Sequence, residues 1–529
     1  VVFLDIITNF SLEIIRRIKA GKIYDKKSLN TAKLELSAKY HLSEMPSNPV
    51  ILSFVKTNKQ KLLPILGRKP TRSLSGVAVV AVMPPPRKCP GNCIYCPSSL
   101  VDTKTPQSYT GKEPATMRAL SMGFDAKKQV CNRISQLEET GHNTNKIELI
   151  VMGGTFPALP LSCQKDFVKK MVNSITCRQA RTVESALHYA ESGERRITGI
   201  TFETRPDYCA KKHIKNMFHL GGTRCELGVQ TIRDDIYKKI SRGHTVADVV
   251  AATKYLKDSA FKITYHYMPG LPGMTPTDDF KSLKQLFTDD RFKPDSLKIY
   301  PCLVIENTKL YQQWKKGNFS PLETKQAVKL VKKMKKIIPR WVRIMRIQRD
   351  IPSSVVSAGV NRTNLRQMVA DEMRKENTVC QCIRCREVGL FSRQKSIKHE
   401  KPVIFVEEYN ASKGKEFFIS FEDRERNCLY GFARLRIPSN PFMKGLDKRT
   451  ALLRELRVFG RPLPVGTHSK NEIQHHGLGK ELMSKAEELA SEFSYNKLSV
   501  ISGAGVKQYY RNLGFSDDYG YLSKSLKIN

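Results

Sequence analysis

Acidic residues are the first scarcity: 50 Asp and Glu face 90 Lys and Arg, leaving a formal charge of +40 over 529 residues. Such an excess repels itself and attracts polyanions, so a phosphate backbone is the favoured partner. A salt-adapted cytoplasm or a genome-wide lysine bias is the other source of such a charge. Long apolar runs are missing too. The longest, Gly76 to Pro86, falls far short of the roughly 20 residues a spanning helix needs, so no membrane association is expected. No basic-then-apolar leader opens the sequence, which predicts a cytoplasmic protein, although the first residue is Val and the true start stays open. There is no internal repeat and no low-complexity tail. Disulfide-like cysteine spacing is also absent. Six of the 13 cysteines fall in two tight groups, Cys89-Cys93-Cys96 and Cys380-Cys382-Cys385. In a large lysine-rich chain these read as metal ligands in a reducing compartment, and the scattered seven as small buried hydrophobes.

What is present divides the chain into several domains. Residues 1–72 carry 14 Lys or Arg against 5 Asp or Glu. Helix-like spacing over Ser11–Lys19 and Leu29–Tyr40, with Asn30 and Thr31 as caps, predicts either an RNA-contacting appendage or a solvated helical face. Residues 73–304 alternate strand and helix, with strands at 77–83, 147–152, 197–203, 224–230, 262–268 and 296–300. The fold class is therefore α/β, with a parallel sheet curved into a partial (β/α)6 barrel whose chemistry sits beyond the carboxyl ends of its strands. Residues 305–400 read as a basic helical linker. Residues 401–529 read as a mixed α/β domain of four strands, a helix at 477–493, a strand at 497–501 and a last helix at 506–513.

The first cysteine group directly follows the first strand. Three thiolates from one loop can hold three irons of a 4Fe-4S cluster and leave the fourth without a protein ligand, which is the arrangement radical S-adenosylmethionine (SAM) chemistry uses. A zinc knuckle is the alternative, but it needs a fourth His or Cys, and none follows before Cys131. Tyr95 is placed to pack near the SAM adenine. Gly153 and Gly154 let backbone approach the methionine amino group. Glu203 offers a carboxylate to ribose hydroxyls, and Arg205 a guanidinium to the SAM carboxylate. Gln230 and the same-face pair Lys262 and His266 point toward the same mouth, and the Gly270-to-Gly273 loop offers backbone to the adenine. The second group, Cys380, Cys382 and Cys385, reads as a zinc site clamping two domains, with His399 a guess for the fourth ligand.

Near the C-terminus, Gln474-His475-His476-Gly477-Leu478-Gly479 opens an amphipathic helix. Its glycines let backbone N–H groups converge on a pyrophosphate, as in GNAT acetyltransferases that bind acetyl-CoA. Tyr509 and Tyr510, on the following helix, can flank the thioester.

Together these halves resemble one family, the catalytic subunit of Elongator, in its archaeal-like version. The resemblance runs from Gly76 to the end. It is carried by Tyr109-Thr110-Gly111-x-Glu113-Pro114, Val151 to Phe156, Phe202 to Cys209, Glu226 to Gln230, Arg242 to Thr245, Gln348 to Pro352, Arg454-Glu455-Leu456 and the Gln474 loop. The spacing of the first two cluster cysteines is shorter than in eukaryotic members, many of which lack the second triplet. The resemblance implies a tRNA uridine carboxymethyl-forming enzyme. A SAM-derived 5′-deoxyadenosyl radical takes hydrogen from the methyl of acetyl-CoA, and the carbon radical adds to carbon 5 of the wobble uridine. It also implies an anticodon stem-loop in a basic cleft and an acetyl-CoA site opening toward the barrel mouth. Lys262, His266, Tyr509 and Tyr510 are the candidate catalytic residues. A protein lysine acetyltransferase with a regulatory barrel is the alternative. The electron donor, accessory subunits and homodimerisation stay open.

Overall fold

The computed structural model describes residues 2–42, 45, 46, 48–55, 62, 65–67, 76–97, 105–391, 401–459 and 477–527. Short apolar runs separated by helical crossovers pair in parallel. Strands β1 (Ala78–Val82), β2 (Lys146–Val151), β3 (Arg196–Thr204), β4 (Gly222–Gln230), β5 (Lys262–Tyr267) and β6 (Ser296–Ile299) lie side by side in chain order. Strand β7 (Val304–Ile305) pairs outside this sheet with β9 (Val356–Ala358), and between them β8 (Arg343–Ile347) joins the β6 edge as a seventh parallel strand. The region expected to be a helical linker thus completes the curled half-barrel. Its strand signal is short and bulged: Ile344 and Ile347 are buried, Arg346 is not, and a lysine-rich helix, Thr324–Lys336, precedes it. Outward-facing residues such as Val80, Val82, Leu149 and Val151 bury against the crossover helices.

The second sheet contains β10 (Val403–Ala411), β11 (Gly414–Glu422), β12 (Leu429–Ile437), β13 (Thr450–Val458), β14 (Lys497–Val500), β15 (Ser516–Asp518) and β16 (Tyr521–Ser525), in the order β10-β11-β12-β13-β14-β16-β15. All neighbours are antiparallel except β13 and β14. That parallel pairing ends at Leu453 opposite Val500 while β13 continues to Val458, so the two strands splay apart.

Three N-terminal helices, Val2–Lys19, Lys26–Lys39 and Asn48–Ser53, close a separate core around Phe10, Ile14, Leu29, Leu36 and Ile51. The second starts earlier than its apolar spacing suggested. The Asp25 carboxylate accepts the Ser28 N–H at 2.7 Å and Ser28 Oγ reciprocates, a capping box that leaves Asn30 and Thr31 inside the helix. Among the described residues no helix is long and apolar enough to cross a membrane.

The two sheets meet through a dry layer of charge. Arg454 clasps Asp295 at 2.8 Å, Arg436 joins Asp258 at 2.6 Å and Glu416 at 2.9 Å, and Lys257 reaches Glu416 at 3.3 Å. Beside it, backbone meets backbone: a Cβ on Gly505 would lie 2.5 Å from the Ile197 nitrogen, and one on Gly503 2.4 Å from the Thr198 carbonyl. Gly505→Ala is therefore expected to lower stability by about 1–3 kcal/mol, since backbone cannot yield as a side chain can. The expected reading is a thermal midpoint below that of the unsubstituted protein.

Candidate active site

The loop after β1 turns Cys89, Cys93, Tyr95 and Cys96 into a cavity at the carboxyl ends of the strands. Gly154, Glu203, Arg205, Gln230 and His266 line the same cavity. Hydrogen-bond donors already serve the sulfurs: the Gly91 N–H points at Cys89 Sγ at 3.4 Å, and an Arg242 N–H at Cys93 Sγ at 3.3 Å. A Cβ on Gly91 would sit 1.8 Å from Arg205 Nη1, so a larger residue there would displace the Arg205 guanidinium. Buried polar atoms without partners face the opening: Tyr95 Oη, Arg205 Nη1, Glu226 Oε1 and Gln230 Oε1. Gln230 also holds a left-handed backbone with φ of 70° at the end of β4, strain that persists only where the surroundings enforce it. Three thiols, flanking cations and unsatisfied donors and acceptors are a set that fits an anionic cluster and a zwitterionic ligand.

Gly153 and Gly154 both adopt positive φ, 114° and 89°, in the turn after β2. Glu203 accepts the Tyr109 hydroxyl at 2.9 Å, and Arg205 is held by Asp207 at 2.9 Å. His266 Nε2 lies 3.0 Å from Glu226, whose other neighbour is the Lys298 ammonium. Glu203, Glu226 and His266 are close enough together to hold a cation, but Lys298 takes that place. Burial raises the Glu226 carboxyl, yet Lys298 and His266 outweigh it and hold it well below the usual range. Sequence reading did not single out Arg242 or Lys298 as site residues. Lys298 had a signal: a lysine in an otherwise apolar strand.

The Gly270 loop is tied down by Asp279, which accepts the Gly270 N–H at 2.7 Å and approaches the Tyr267 hydroxyl. Burial raises the Asp279 carboxyl from 3.8 to about 7. The folded chain therefore keeps a proton that the unfolded chain releases near 4, and stability on this group's account is full in acid and declines as pH rises from about 4 to about 7. Asp279→Asn is expected to flatten that decline, measured by thermal denaturation at pH 5 and pH 8.

Lys262 is not at this mouth. It shares a face of β5 with His266 but stands at the strand's start, about 13 Å away at strand rise. It lines a second cavity with Glu148, Arg224, Glu455, Gly503 and Tyr510, between the amino ends of the barrel strands and the β13–β14 splay. Burial pulls its ammonium down to about 8 against the opposing pull of Glu455. The splay thus faces the bottom of the barrel, not its mouth, because the charged layer docks the second sheet against the amino ends of β5 and β6.

Tyr509 is half-buried on the splay side: a Cβ on Gly479 would meet its hydroxyl at 2.6 Å. Tyr510 crosses it edge-on at 5.3 Å and reaches the second cavity. Gly477, with φ of 79°, caps the helix Leu478–Glu492. Gln474, His475 and His476 lie outside the described residues. The sulfurs of Cys380, Cys382 and Cys385 converge within 4.8 Å of one another. The Ile383 N–H, next to Cys382, donates to Val342 O beside β8, and Arg386 pairs with Glu422 of β11 at 2.8 Å, so this segment bridges the sheets. His399 lies outside the described residues.

Comparison with known proteins finds three family models along the chain. The Radical SAM superfamily model matches residues 83–286, the Radical_SAM C-terminal domain 294–375, and the ELP3 N-terminal domain 7–74. The tRNA uridine(34) acetyltransferase of Methanocaldococcus infernus is 46% identical over 523 residues, 97% of this chain and 98% of that protein. Elongator complex protein 3 of Saccharomyces cerevisiae is 37% identical over 538 residues, 99% of this chain and 96% of that protein. A solved structure, the archaeal Methanocaldococcus infernus Elp3 with an N-terminal deletion, matches with a TM-score of 0.76 and 43% identity, covering 85% of this chain and all of that one (100%). With such identity spread over nearly the whole length, the chain belongs to the Elongator complex protein 3 and tRNA uridine(34) acetyltransferase family.

Proposed function

We propose that this protein is a tRNA carboxymethyluridine synthase, modifying carbon 5 of the wobble uridine with SAM and acetyl-CoA as co-substrates. The observation that carries the reading is the convergence of Cys89, Cys93 and Cys96 with Glu203, Arg205 and Gln230 in one cavity, in a chain whose relatives are named tRNA uridine(34) acetyltransferase. The three cysteines would hold a 4Fe-4S cluster, with Arg242 and the Gly91 N–H stabilising charge on the sulfurs. Gly153, Gly154 and Gln230 would receive the methionine end of SAM, and Glu203 its ribose; Arg205 would pair with its carboxylate, and Tyr95 would pack on its adenine. When bound, the cluster and SAM supply a 5′-deoxyadenosyl radical able to take hydrogen from the acetyl methyl group. Glu226, His266 and Lys298 form a buried charge relay beside that chemistry, able to hold or move a proton at the His266 ring.

The β13–β14 splay and the helix opened by Gly477, Leu478 and Gly479 support a GNAT-type acetyl-CoA site, with Gln474, His475 and His476 completing the pyrophosphate loop. Tyr509 would flank the pantetheine arm at Gly479, and Tyr510 and Lys262 the far side of the thioester. Cys380, Cys382 and Cys385 would hold zinc as a clamp between the sheets. The formal +40 charge suits a tRNA anticodon stem-loop. The deciding experiment is anaerobic incubation of the reconstituted protein with tRNA, SAM, acetyl-CoA and reductant, followed by nucleoside mass spectrometry. Carboxymethyluridine at the wobble position is expected; unmodified tRNA under these conditions would refute the reading.

A further inference from the structure

The two cavities lie at opposite ends of the barrel, so a two-carbon unit released at the splay must travel to reach the cysteine-lined mouth. The inner face of the sheet between them is not packed like an ordinary barrel interior, where branched apolar side chains fill the space. On β1, Ala78, Val80 and Val82 face the helices and are buried, whereas Val79, on the inner face, is 42% exposed and Ala81 is partly exposed. Their register partners on β2 are Glu148 and Ile150, both partly exposed as well. Glu148 already lines the lower cavity, and Met152, two residues beyond Ile150, lines the upper one. Partly exposed side chains therefore form a seam up the β1–β2 side, in the interval between the two cavities. Across from it, the inner positions of β4 and β5 are polar: Arg224 and Glu226, then Lys262, Thr264 and His266. At mid-height Thr264 Oγ1 is buried without a partner, a hydroxyl able to donate to a passing carboxylate. Cations stand at both ends, Arg224 and Lys262 below and Lys298 above.

We infer that water cleaves the bound thioester at the splay cavity, its oxygen bonding to the acyl carbon as the C–S bond breaks and CoA leaving as the free thiol, and that the acetate formed passes along the inner face of β1 and β2 to the radical site. The small side chain of Ala81 and a polar lining select an acetate-sized carboxylate and exclude the nucleotide part of its carrier. The inference rests on the proposed two-site function, and one set of assays separates the two.

Holoenzyme with tRNA, SAM, reductant and acetyl-CoA labelled in the acetyl carbons gives three readings: CoA release at the lower site, 5′-deoxyadenosine formation at the upper site, and label in tRNA. Ala81→Phe, which fills the seam at a position that lines neither cavity, is expected to leave the first two within about twofold and to cut label in tRNA by at least about tenfold. Ala81→Ser should restore it. Ile150→Phe, beside it in register, is read in the same way, so that misfolding of one variant does not decide the matter. Full labelling in either folded Phe variant, or parallel loss of all three readings in both, overturns the route. Absence of label with the unsubstituted protein would instead overturn the proposed function.

Discussion

Alanine at Cys89, Cys93 and Cys96 together is expected to abolish transfer of acetyl carbon into tRNA, a loss of at least about a thousandfold, because these thiolates would hold the cluster that delivers the electron. The Arg242 N–H and the Gly91 N–H donate to these sulfurs and to nothing that could replace them. The same variant should lack the visible absorbance of an iron–sulfur centre after anaerobic reconstitution, while retaining its thermal midpoint to within a few degrees, since the cysteines lie in a loop outside the main sheet. Two readouts separate this expectation from the alternative of a lysine acetyltransferase with a regulatory barrel. If the triple variant still acetylates lysine peptides from acetyl-CoA at the unsubstituted rate, the barrel is regulatory and the radical reading fails. Alanine at Cys380, Cys382 and Cys385 serves as the contrast: it is expected to lower stability through the lost clamp and to leave the iron–sulfur absorbance in place.

Asp295→Ala is expected to destabilise the protein by about 3–5 kcal/mol, the penalty for leaving a buried cation uncompensated. Asp295 takes both Arg454 terminal nitrogens and the Ile263 N–H at 2.8 Å, with Arg434 and Lys257 just beyond. All five groups are buried. Burial alone would raise the Asp295 carboxyl; Arg454, Lys257 and Arg434 outweigh it, and the carboxyl is held well below the usual range. Its folded value is lower than its unfolded one, so the stability it contributes is complete above about 4 and is lost as pH falls below that. In urea, Asp295→Ala should therefore unfold well before the unsubstituted protein at pH 7, and the gap should close in acid. Asp295→Leu combined with Arg454→Met should be milder than Asp295→Ala alone, because the Arg454 cation is then removed together with its carboxylate. Equal midpoints for Asp295→Ala and the unsubstituted protein would mean that the charged layer does not hold the sheets together.

The parallel sheet was legible because each strand is a short apolar run followed by a crossover helix, and six strands match their expected positions to within two residues. The seventh was not: Arg343–Ile347 interleaves arginine with isoleucine, and only its pairing with β6 makes it a strand. Strands β15 and β16 were missed for a similar reason. Ser516–Asp518 is polar, and its partner Tyr521–Ser525 is short, so the hairpin depends on β14 beside it. At the site, glycine and cysteine punctuation marked loops that line the cavity. Arg242 carries no local pattern, since it lies in a loop between two helices and meets Cys93 and Gly228 only through the fold.

By itself the sequence determined which residues could bear chemistry: cysteines seven positions apart after a strand, glycines at two helix and strand ends, and the surplus of positive charge. These are local properties of spacing and side-chain type, so they survive without a fold. Only the tertiary structure decided which of them meet. Lys262 and His266 share one face of one strand, yet the barrel puts them in different cavities, and the buried Asp295–Arg454 and Asp258–Arg436 pairs dock the second sheet below the barrel. Direction along a strand is a matter of distance, about 3.3 Å per residue, and which end a second domain covers depends on long-range charge pairing that no neighbouring residue records.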